Sequence, residues 1–218
     1  MKTILIYSGG LDSTVLLYQL LADDYSVNAM GINYGQRHQK ELVAAKGICD
    51  SLGVDFKVVD LSALKPFLAG SSQTDDTVAV PHGHYEEESM KLTIVPNRNM
   101  IMLSIAIAYA VTTKSDSVAY AAHGGDHAIY PDCREEFVKA LSDAAMLADW
   151  HKVQIERPFI LKTKAEIVAL GSKLNAPLRR TWSCYEGGEI HCGKCGTCVE
   201  RREAFQIAKI KDDTFYRS

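Results

Sequence analysis

The chain has 218 residues, 47% of them hydrophobic, and carries 24 Lys and Arg against 27 Asp and Glu, a formal net charge of −3. The apolar content excludes a disordered chain, and the slightly acidic balance offers no basic field for a nucleic acid. Since the apolar runs are also shorter than the roughly 18 to 20 residues that span a bilayer, we expect a globular protein with no nucleic acid and no membrane as a partner.

The opening part of the chain alternates short apolar runs with helical patterns, which is typical of βαβ units around a parallel sheet. Strands are predicted at residues 3–7, 27–33 and 54–61, and helices at 15–21 and 37–52. The first apolar run is too short for the hydrophobic region of a signal peptide. We therefore expect a cytoplasmic protein.

A long polar stretch with Pro and Gly residues interrupts this pattern between residues 62 and 95. Loops of this length are usually functional or mobile, so we expect a lid over a bound substrate. The pair His82 and His84, beside Glu86, Glu87 and Glu88, could hold a second metal ion, although solvated lid residues are the simpler interpretation.

The alternation then resumes, with helices predicted at residues 99–113, 134–148 and 164–174 and strands at 117–122 and 153–160. A short helix is predicted at 200–210. The order of elements indicates an α/β, Rossmann-like fold with a right-handed, doubly wound parallel sheet flanked by helices. We divide the chain into an α/β domain over residues 1–177 and a C-terminal segment over residues 178–218 that packs on it.

The turn between the first strand and the first helix is the strongest functional signal, and we call it the nucleotide loop (residues 8–14). Its candidate nucleotide-binding residues are Ser8, Gly9, Gly10, Leu11, Asp12, Ser13 and Thr14. Backbone N–H groups and the helix dipole converge there on an anion. The glycines let phosphates approach, the serine hydroxyls can donate, and Asp12 can hold a Mg²⁺ ion. A plain strand-to-helix turn is the alternative.

The loop is neither a Walker motif nor a dinucleotide fingerprint. It resembles the S-G-G-x-D-S sequence of the PP-loop ATP pyrophosphatases, which cleave ATP between the α and β phosphates. The resemblance implies that residues 1–177 form a PP-loop, adenine nucleotide alpha hydrolase-like domain and that ATP and Mg²⁺ are its cofactors.

Four of the six cysteines lie in the C-terminal segment, at Cys184, Cys192, Cys195 and Cys198. Four thiolates fit a closed, tetrahedral Zn²⁺ site of the structural kind, which would pin this zinc-binding segment near the active site. A [4Fe–4S] cluster and disulfides are the competing interpretations, and His191 could replace one cysteine.

The two remaining cysteines carry weaker signals. Cys49 lies in a predicted helix and is expected to be a buried apolar side chain. Cys133 lies in a predicted loop, where it could be exposed and could carry sulfur, although only Arg134 suggests the electropositive setting that a reactive cysteine needs.

Taken in order, these motifs resemble those of the 7-cyano-7-deazaguanine synthases of the queuosine pathway, over about residues 2–210. Besides the nucleotide loop and the cysteines, the resemblance rests on residues 95–99, 123–126, 130–134 and 162–164. It implies an ATP-dependent ligase that converts 7-carboxy-7-deazaguanine and ammonia into the nitrile through an acyl adenylate and an amide. It also implies one structural zinc ion and a homodimer.

The resemblance and the chemistry together select the candidate site residues. The catalytic candidates are Ser8, Asp12, Ser13, Lys162 and Lys164. The substrate-binding candidates are Asn97, Arg98, Asn99, Gly124, Asp126, Tyr130 and Asp132. One of the lysines would neutralise phosphate charge, and a carboxylate would accept the paired N–H donors of a guanine-like edge.

Several of these side chains have simpler alternatives. Arg98 would attract the substrate carboxylate and Tyr130 would stack on the base, although Tyr130 could be an ordinary loop aromatic. Asn97 could merely shape a turn after Pro96, and Lys164 could lie on an exposed helix face.

Two rival functions use the same motifs differently. A PP-loop tRNA-modifying enzyme would transfer sulfur with an iron–sulfur cluster or a reactive cysteine, but its surface should be basic, whereas this chain is net acidic. A non-catalytic zinc-ribbon module would leave the nucleotide loop unexplained.

Overall fold

The computed structural model describes residues 1–85 and 87–217, and within them five parallel strands form one sheet. The strands are β1 (Lys2–Ile6), β2 (Ser26–Asn33), β3 (Asp55–Asp60), β4 (Ser117–Ala119) and β5 (Gln154–Glu156). Their order is β3-β2-β1-β4-β5, which confirms the predicted doubly wound α/β sheet. The order reverses between β1 and β4, and such a switch point is where α/β sheets bind ligands.

Helices cover both faces of this sheet. They are α1 (Leu11–Ala22), α2 (Lys40–Leu52), α3 (Arg98–Thr113), α4 (Glu135–Ala148), α5 (Lys164–Lys173) and α6 (Gly196–Ile207). Successive strand residues point to opposite faces, so Ile4 joins the core beneath α3 and Leu5 the core that α1 closes. None of the helices in the described parts of the chain has the length and apolar character to cross a membrane.

The last two strands are shorter than predicted. β4 and β5 contain three residues each. Pro158 has no N–H group to donate and restricts the residue before it, so the pairing ends at Glu156. Residues 120–122 continue past the sheet, and Tyr120 and Ala122 end at the wall of a cavity.

The long polar stretch is folded onto the domain rather than solvated along its length. It forms two 3₁₀ segments, Ser62–Leu68 and Glu88–Thr93. Between them four polar residues are buried, namely Ser71, Ser72, Gln73 and Thr74. The Thr74 hydroxyl donates to the Leu68 carbonyl at 2.5 Å, and the Gln73 carbonyl accepts the Arg37 N–H at 2.8 Å. Glu86, part of the predicted lid, lies outside the described residues.

The C-terminal segment packs on the α/β core. Helix α6 contacts α5, and its Ala204 and Phe205 join the same hydrophobic cluster as Leu16 and Leu17 of α1. The predicted division of the chain at residue 177 remains a prediction.

Candidate active site and cysteine centre

A cavity of about 230 Å³ opens at the switch point, between the carboxyl ends of β1, β2 and β4. The predicted site residues in its wall are Ser8, Gly10, Leu11, Asp12, Ser13, Arg98, Asn99, Asp126, Tyr130 and Lys164. The predicted residues outside its wall are Gly9, Thr14, Asn97, Gly124, Asp132 and Lys162. The fold therefore brings the nucleotide loop together with residues more than 80 positions away in sequence.

The nucleotide loop is shaped to bind an anion. Gly9 has φ +82°, and a Cβ atom there would lie 2.2 Å from the Glu41 carbonyl oxygen, so the position requires glycine. Ser8 Oγ accepts the Gly10 N–H at 3.1 Å and lies 3.2 Å from Ser13 Oγ. The first N–H groups of α1 have no acceptor within the helix and face the cavity end of the loop.

Lys164 forms an ion pair with the nucleotide loop. Its Nζ donates to Asp12 Oδ2 at 2.6 Å and lies 3.4 Å from Glu200 Oε2. Burial alone would raise the pKa of Asp12, but the Lys164 ammonium and His123 outweigh it and hold that pKa below its ordinary value. Burial opposes the Lys164 charge, yet Asp12 and Glu200 raise the pKa of Lys164 above its ordinary value. A fixed cation therefore stands beside the loop.

Two buried carboxylate oxygens here have no hydrogen-bond partner. They are Asp12 Oδ1 and Glu200 Oε2. Carboxylate oxygens are the ligands that Mg²⁺ prefers, and burying them without a hydrogen bond is costly, although Glu200 Oε2 lies 3.4 Å from the Lys164 ammonium. The donor set therefore fits a magnesium ion carried by a nucleotide.

His123 was not predicted as a site residue, but it lies at the centre of the charged groups and is 2% exposed. Its Nδ1 accepts the Gly125 N–H at 3.1 Å, so the neutral ring carries its proton on Nε2. That nitrogen lies 3.6 Å from Asp126 Oδ1 and 3.8 Å from Glu200 Oε1. The ring is thus set to face carboxylates as a donor.

The two predicted carboxylates differ in environment. Asp126 lines the cavity, and its Oδ1 accepts the phenol of Tyr85 at 3.0 Å. Asp132 lies outside the cavity wall, where its Oδ2 accepts the Asn99 N–H at 3.1 Å at the start of α3. Only Asp126 is therefore placed to meet a ligand directly.

Arg98 is the first residue of α3 and forms a side-chain hydrogen bond with Tyr34, which lines the cavity. Burial raises the pKa of Tyr34 to about 12, although its hydrogen-bonded neighbour Arg98 partly opposes this. Asn97 is the residue immediately before this helix, and it is exposed with φ +55°. This agrees with the alternative that Asn97 shapes the turn after Pro96. The carbonyl of Lys162 accepts the Gly124 N–H at 2.8 Å, so these two residues hold the loops together by backbone contact.

The cavity wall also contains residues that the sequence did not indicate. They include His38, Glu41, Tyr34, Tyr85, Tyr120, Trp182, Ser183, Tyr185 and Thr197. Tyr34 and Tyr120 directly follow β2 and β4, so the rule that ligands bind at carboxyl ends could have found them. Tyr85 and Tyr185 come from the long polar stretch and the C-terminal segment, where no spacing rule points to the cavity.

The four C-terminal cysteines form a compact centre. Their Sγ atoms all lie within 4.8 Å of one another, and Cys192 Sγ is 3.9 Å from Cys198 Sγ. A tetrahedral ion with metal–sulfur bonds of about 2.3 Å would separate its ligands by about 3.8 Å. The spacing therefore fits one ion, whereas a four-iron cluster binds each thiolate at a different iron.

The structure also places His191, Cys49 and Cys133, the other residues considered as metal ligands or reactive thiols. His191 Nε2 accepts the Ser183 N–H at 3.1 Å and is not among the clustered ligand atoms. All six described cysteines are free thiols. Cys49 is buried as predicted, but Cys133 is also buried, at 4% exposure, and burial raises its pKa well above the ordinary value. The weakly supported alternative of an exposed, sulfur-carrying Cys133 does not agree with this burial, which disfavours the thiolate.

Comparison with known proteins gives a consistent result. The family model "Queuosine biosynthesis protein QueC" matches residues 2–209. A 7-cyano-7-deazaguanine synthase of Hahella chejuensis is 51% identical, covering 100% of this chain and 94% of that protein. Another, of Pseudoalteromonas translucida, is 49% identical, covering 99% and 98%.

A solved structure supports the fold alone. The U34-tRNA thiolase NcsA of Methanococcus maripaludis, solved with its [4Fe–4S] cluster, superposes with a TM-score of 0.52 at 20% identity. The match covers 97% of this chain and 74% of that one.

Proposed function

The chain belongs to the queuosine biosynthesis protein QueC family, and from this we propose that its cavity uses ATP to convert 7-carboxy-7-deazaguanine and ammonia into 7-cyano-7-deazaguanine. The observation that carries the proposal is the Lys164–Asp12 ion pair at the nucleotide loop, facing Asp126 in one cavity. A nucleotide site and an acceptor for a guanine-like edge thus share a wall.

The chemistry needs two activations of oxygen. A carboxylate oxygen attacks the α-phosphorus of ATP and releases pyrophosphate, because oxide itself cannot leave. Ammonia then attacks the acyl carbon, loses a proton and displaces AMP, which gives the amide. The amide oxygen then attacks the α-phosphorus of a second ATP and releases a second pyrophosphate. Departure of that oxygen in AMP, with loss of the two N–H protons, gives the nitrile. Such phosphoryl chemistry depends mainly on positioning and charge neutralisation.

The nucleotide end of the cavity would perform the charge neutralisation. The N–H groups at the start of α1 and the hydroxyls of Ser8 and Ser13 would bind the phosphates. Asp12 and Glu200, whose buried Oδ1 and Oε2 atoms make no hydrogen bond, would hold a Mg²⁺ ion that would offset phosphate charge. The Lys164 ammonium would stabilise negative charge that grows on the α-phosphate.

The opposite end would bind the base. Asp126 would accept the two neighbouring N–H donors of the deazaguanine edge. Arg98 would attract the carboxylate, and Tyr130, 5% exposed at the cavity wall, would pack against the ring. Asn99 would help to hold this wall through its bond to Asp132.

A product assay tests the function. Incubation with ATP, Mg²⁺, ammonium and 7-carboxy-7-deazaguanine is expected to give first the amide and then the nitrile by mass spectrometry, with AMP and pyrophosphate released. Omitting ammonium should prevent both products. Failure to form either product while ATP still binds would contradict the assignment, and thiolation of added tRNA would favour the sulfur-transfer alternative.

The cysteine centre is proposed to hold zinc, since four buried sulfurs at this spacing fit a closed tetrahedral site. Metal analysis of the purified protein is expected to give one zinc per chain. Cys198→Ser should lose the metal and destabilise the protein, whereas Cys49→Ser, in α2, should retain it. Iron with sulfide at the same stoichiometry would contradict the zinc assignment.

A cytoplasmic homodimer is also proposed. None of the six described cysteines forms a disulfide, which agrees with a reducing compartment. On α3, exposed Ala108 follows half-buried Ile101 and Ile105 at helical spacing, and this apolar strip is the surface that we propose a second copy covers. Light scattering in solution measures the oligomeric state directly.

A further inference from the structure

The long polar stretch returns to the cysteine centre at residues 82–85, which we call the loop tip. His82 forms an antiparallel bridge with Cys195, and the Gly83 N–H donates to the Lys194 carbonyl at 3.1 Å. The loop tip therefore pairs with the turn that carries two of the four clustered cysteines. Its position depends on the shape of that turn.

Tyr85 is the last residue of the loop tip, and its side chain lines the cavity. It is 5% exposed and packs against the start of α6, where a Cβ atom at Gly196 would lie 3.3 Å from the Tyr85 ring and 2.6 Å from Met90 Sδ. The Tyr85 ring is therefore in close contact with the first residue of the helix. Only the phenol end of Tyr85 extends to the charged groups.

That phenol fixes one oxygen of Asp126. The phenol of Tyr85 donates to Asp126 Oδ1 at 3.0 Å, and the backbone N–H of His123 donates to Asp126 Oδ2 at 3.3 Å. A carboxylate has about four acceptor sites, so lone pairs remain for a ligand in the cavity. The two donors set the direction in which these lone pairs point.

We propose that the cysteine centre positions Asp126 for substrate through the loop tip, with Tyr85 as the positioning residue. This inference rests on the proposed function, in which Asp126 binds the edge of the deazaguanine. It assigns the four-cysteine site a task beyond pinning the C-terminal segment, because a metal that shapes residues 192–195 also orients a group in the substrate pocket.

Substrate binding by the metal-loaded enzyme tests the role of Tyr85. Tyr85→Phe keeps the ring packing and removes the donor, and calorimetry should show the Kd for 7-carboxy-7-deazaguanine rising about tenfold, with the Kd for ATP unchanged. In an Asp126→Asn background the same change should add nothing, because the group that it orients is already altered. Full additivity of the two substitutions would overturn the proposal.

Tyr216→Phe is the matched control. Tyr216 also donates to an aspartate, Asp212, at 2.5 Å, but lies outside the cavity. Removing the Tyr216 hydroxyl should leave the Kd for 7-carboxy-7-deazaguanine unchanged. An equal loss of affinity in both variants would show that any disturbance of the C-terminal segment weakens binding, and would overturn the specific role of Tyr85.

Hydrogen exchange tests the role of the metal without substrate. After chelation of the metal, the Gly83 amide should lose protection while the amides of β1 keep theirs. Unchanged protection at Gly83, or loss of protection in β1 as well, would overturn the coupling. If the wild-type protein does not bind the deazaguanine, the proposed function fails, whereas this exchange result still decides whether the metal holds the loop tip.

Discussion

Replacing Lys164 by methionine is expected to lower kcat for nitrile formation by about 10²–10³-fold, the usual effect of losing one group that stabilises transition-state charge. The ammonium stands 2.6 Å from Asp12 Oδ2 and 3.4 Å from Glu200 Oε2. Its raised pKa keeps it charged at neutral pH. Without it, two carboxylates face incoming phosphates unopposed, and both ATP affinity and phosphoryl transfer should suffer.

Lys162→Met is the matched comparison, since both lysines are sequence candidates but only Lys164 lines the cavity. Steady-state kinetics of the two variants should separate them, with a change of no more than about twofold for Lys162→Met, as expected for a surface charge. A large loss at Lys162 with normal kcat at Lys164 would reverse the assignment. Circular dichroism would show whether each variant remains folded.

The sheet could be predicted because its signals are local. The first strand, the turn at Gly9 and Gly10 and the helix after it follow one another within 22 residues, and each is encoded by its own pattern. The end of β4 was missed because residues 120–122 continue past the sheet as apolar residues that line the cavity, and no period in the sequence marks where pairing stops. The end of β5 was missed because Pro158, which stops the pairing, was included in the predicted strand.

The site was only partly predictable, because local sequence patterns do not show which distant segments come into contact. Asp12 and Lys164 belong to motifs, but Glu200 contacts them only because α6 packs on α5. His123 belongs to residues 123–126, on which the family resemblance partly rests, yet its orientation depends on a hydrogen bond from Gly125. Tertiary contacts between distant segments, rather than spacing along the chain, create these neighbours.

Gly9→Ala is expected to abolish ATP binding and to destabilise the protein by several kcal/mol. The position has φ +82°, which L side chains rarely adopt. In addition, a methyl group would lie 2.2 Å from the Glu41 carbonyl oxygen and 2.6 Å from the Ala45 nitrogen. Both atoms are backbone of α2, so relief requires moving either the helix or the nucleotide loop, and strain together with overpacking costs at least about 2 kcal/mol.

Gly47→Ala, within α2, is the control that separates steric clash from a general effect of adding a methyl group. There the nearest atom is the Arg180 guanidinium at 3.5 Å, an ordinary contact, and alanine favours a helix over glycine by about 1 kcal/mol. Thermal unfolding should therefore show a lower Tm for Gly9→Ala and an equal or higher Tm for Gly47→Ala. Wild-type ATP affinity in Gly9→Ala would contradict the close contact between the nucleotide loop and α2, because that contact leaves no space for the added carbon.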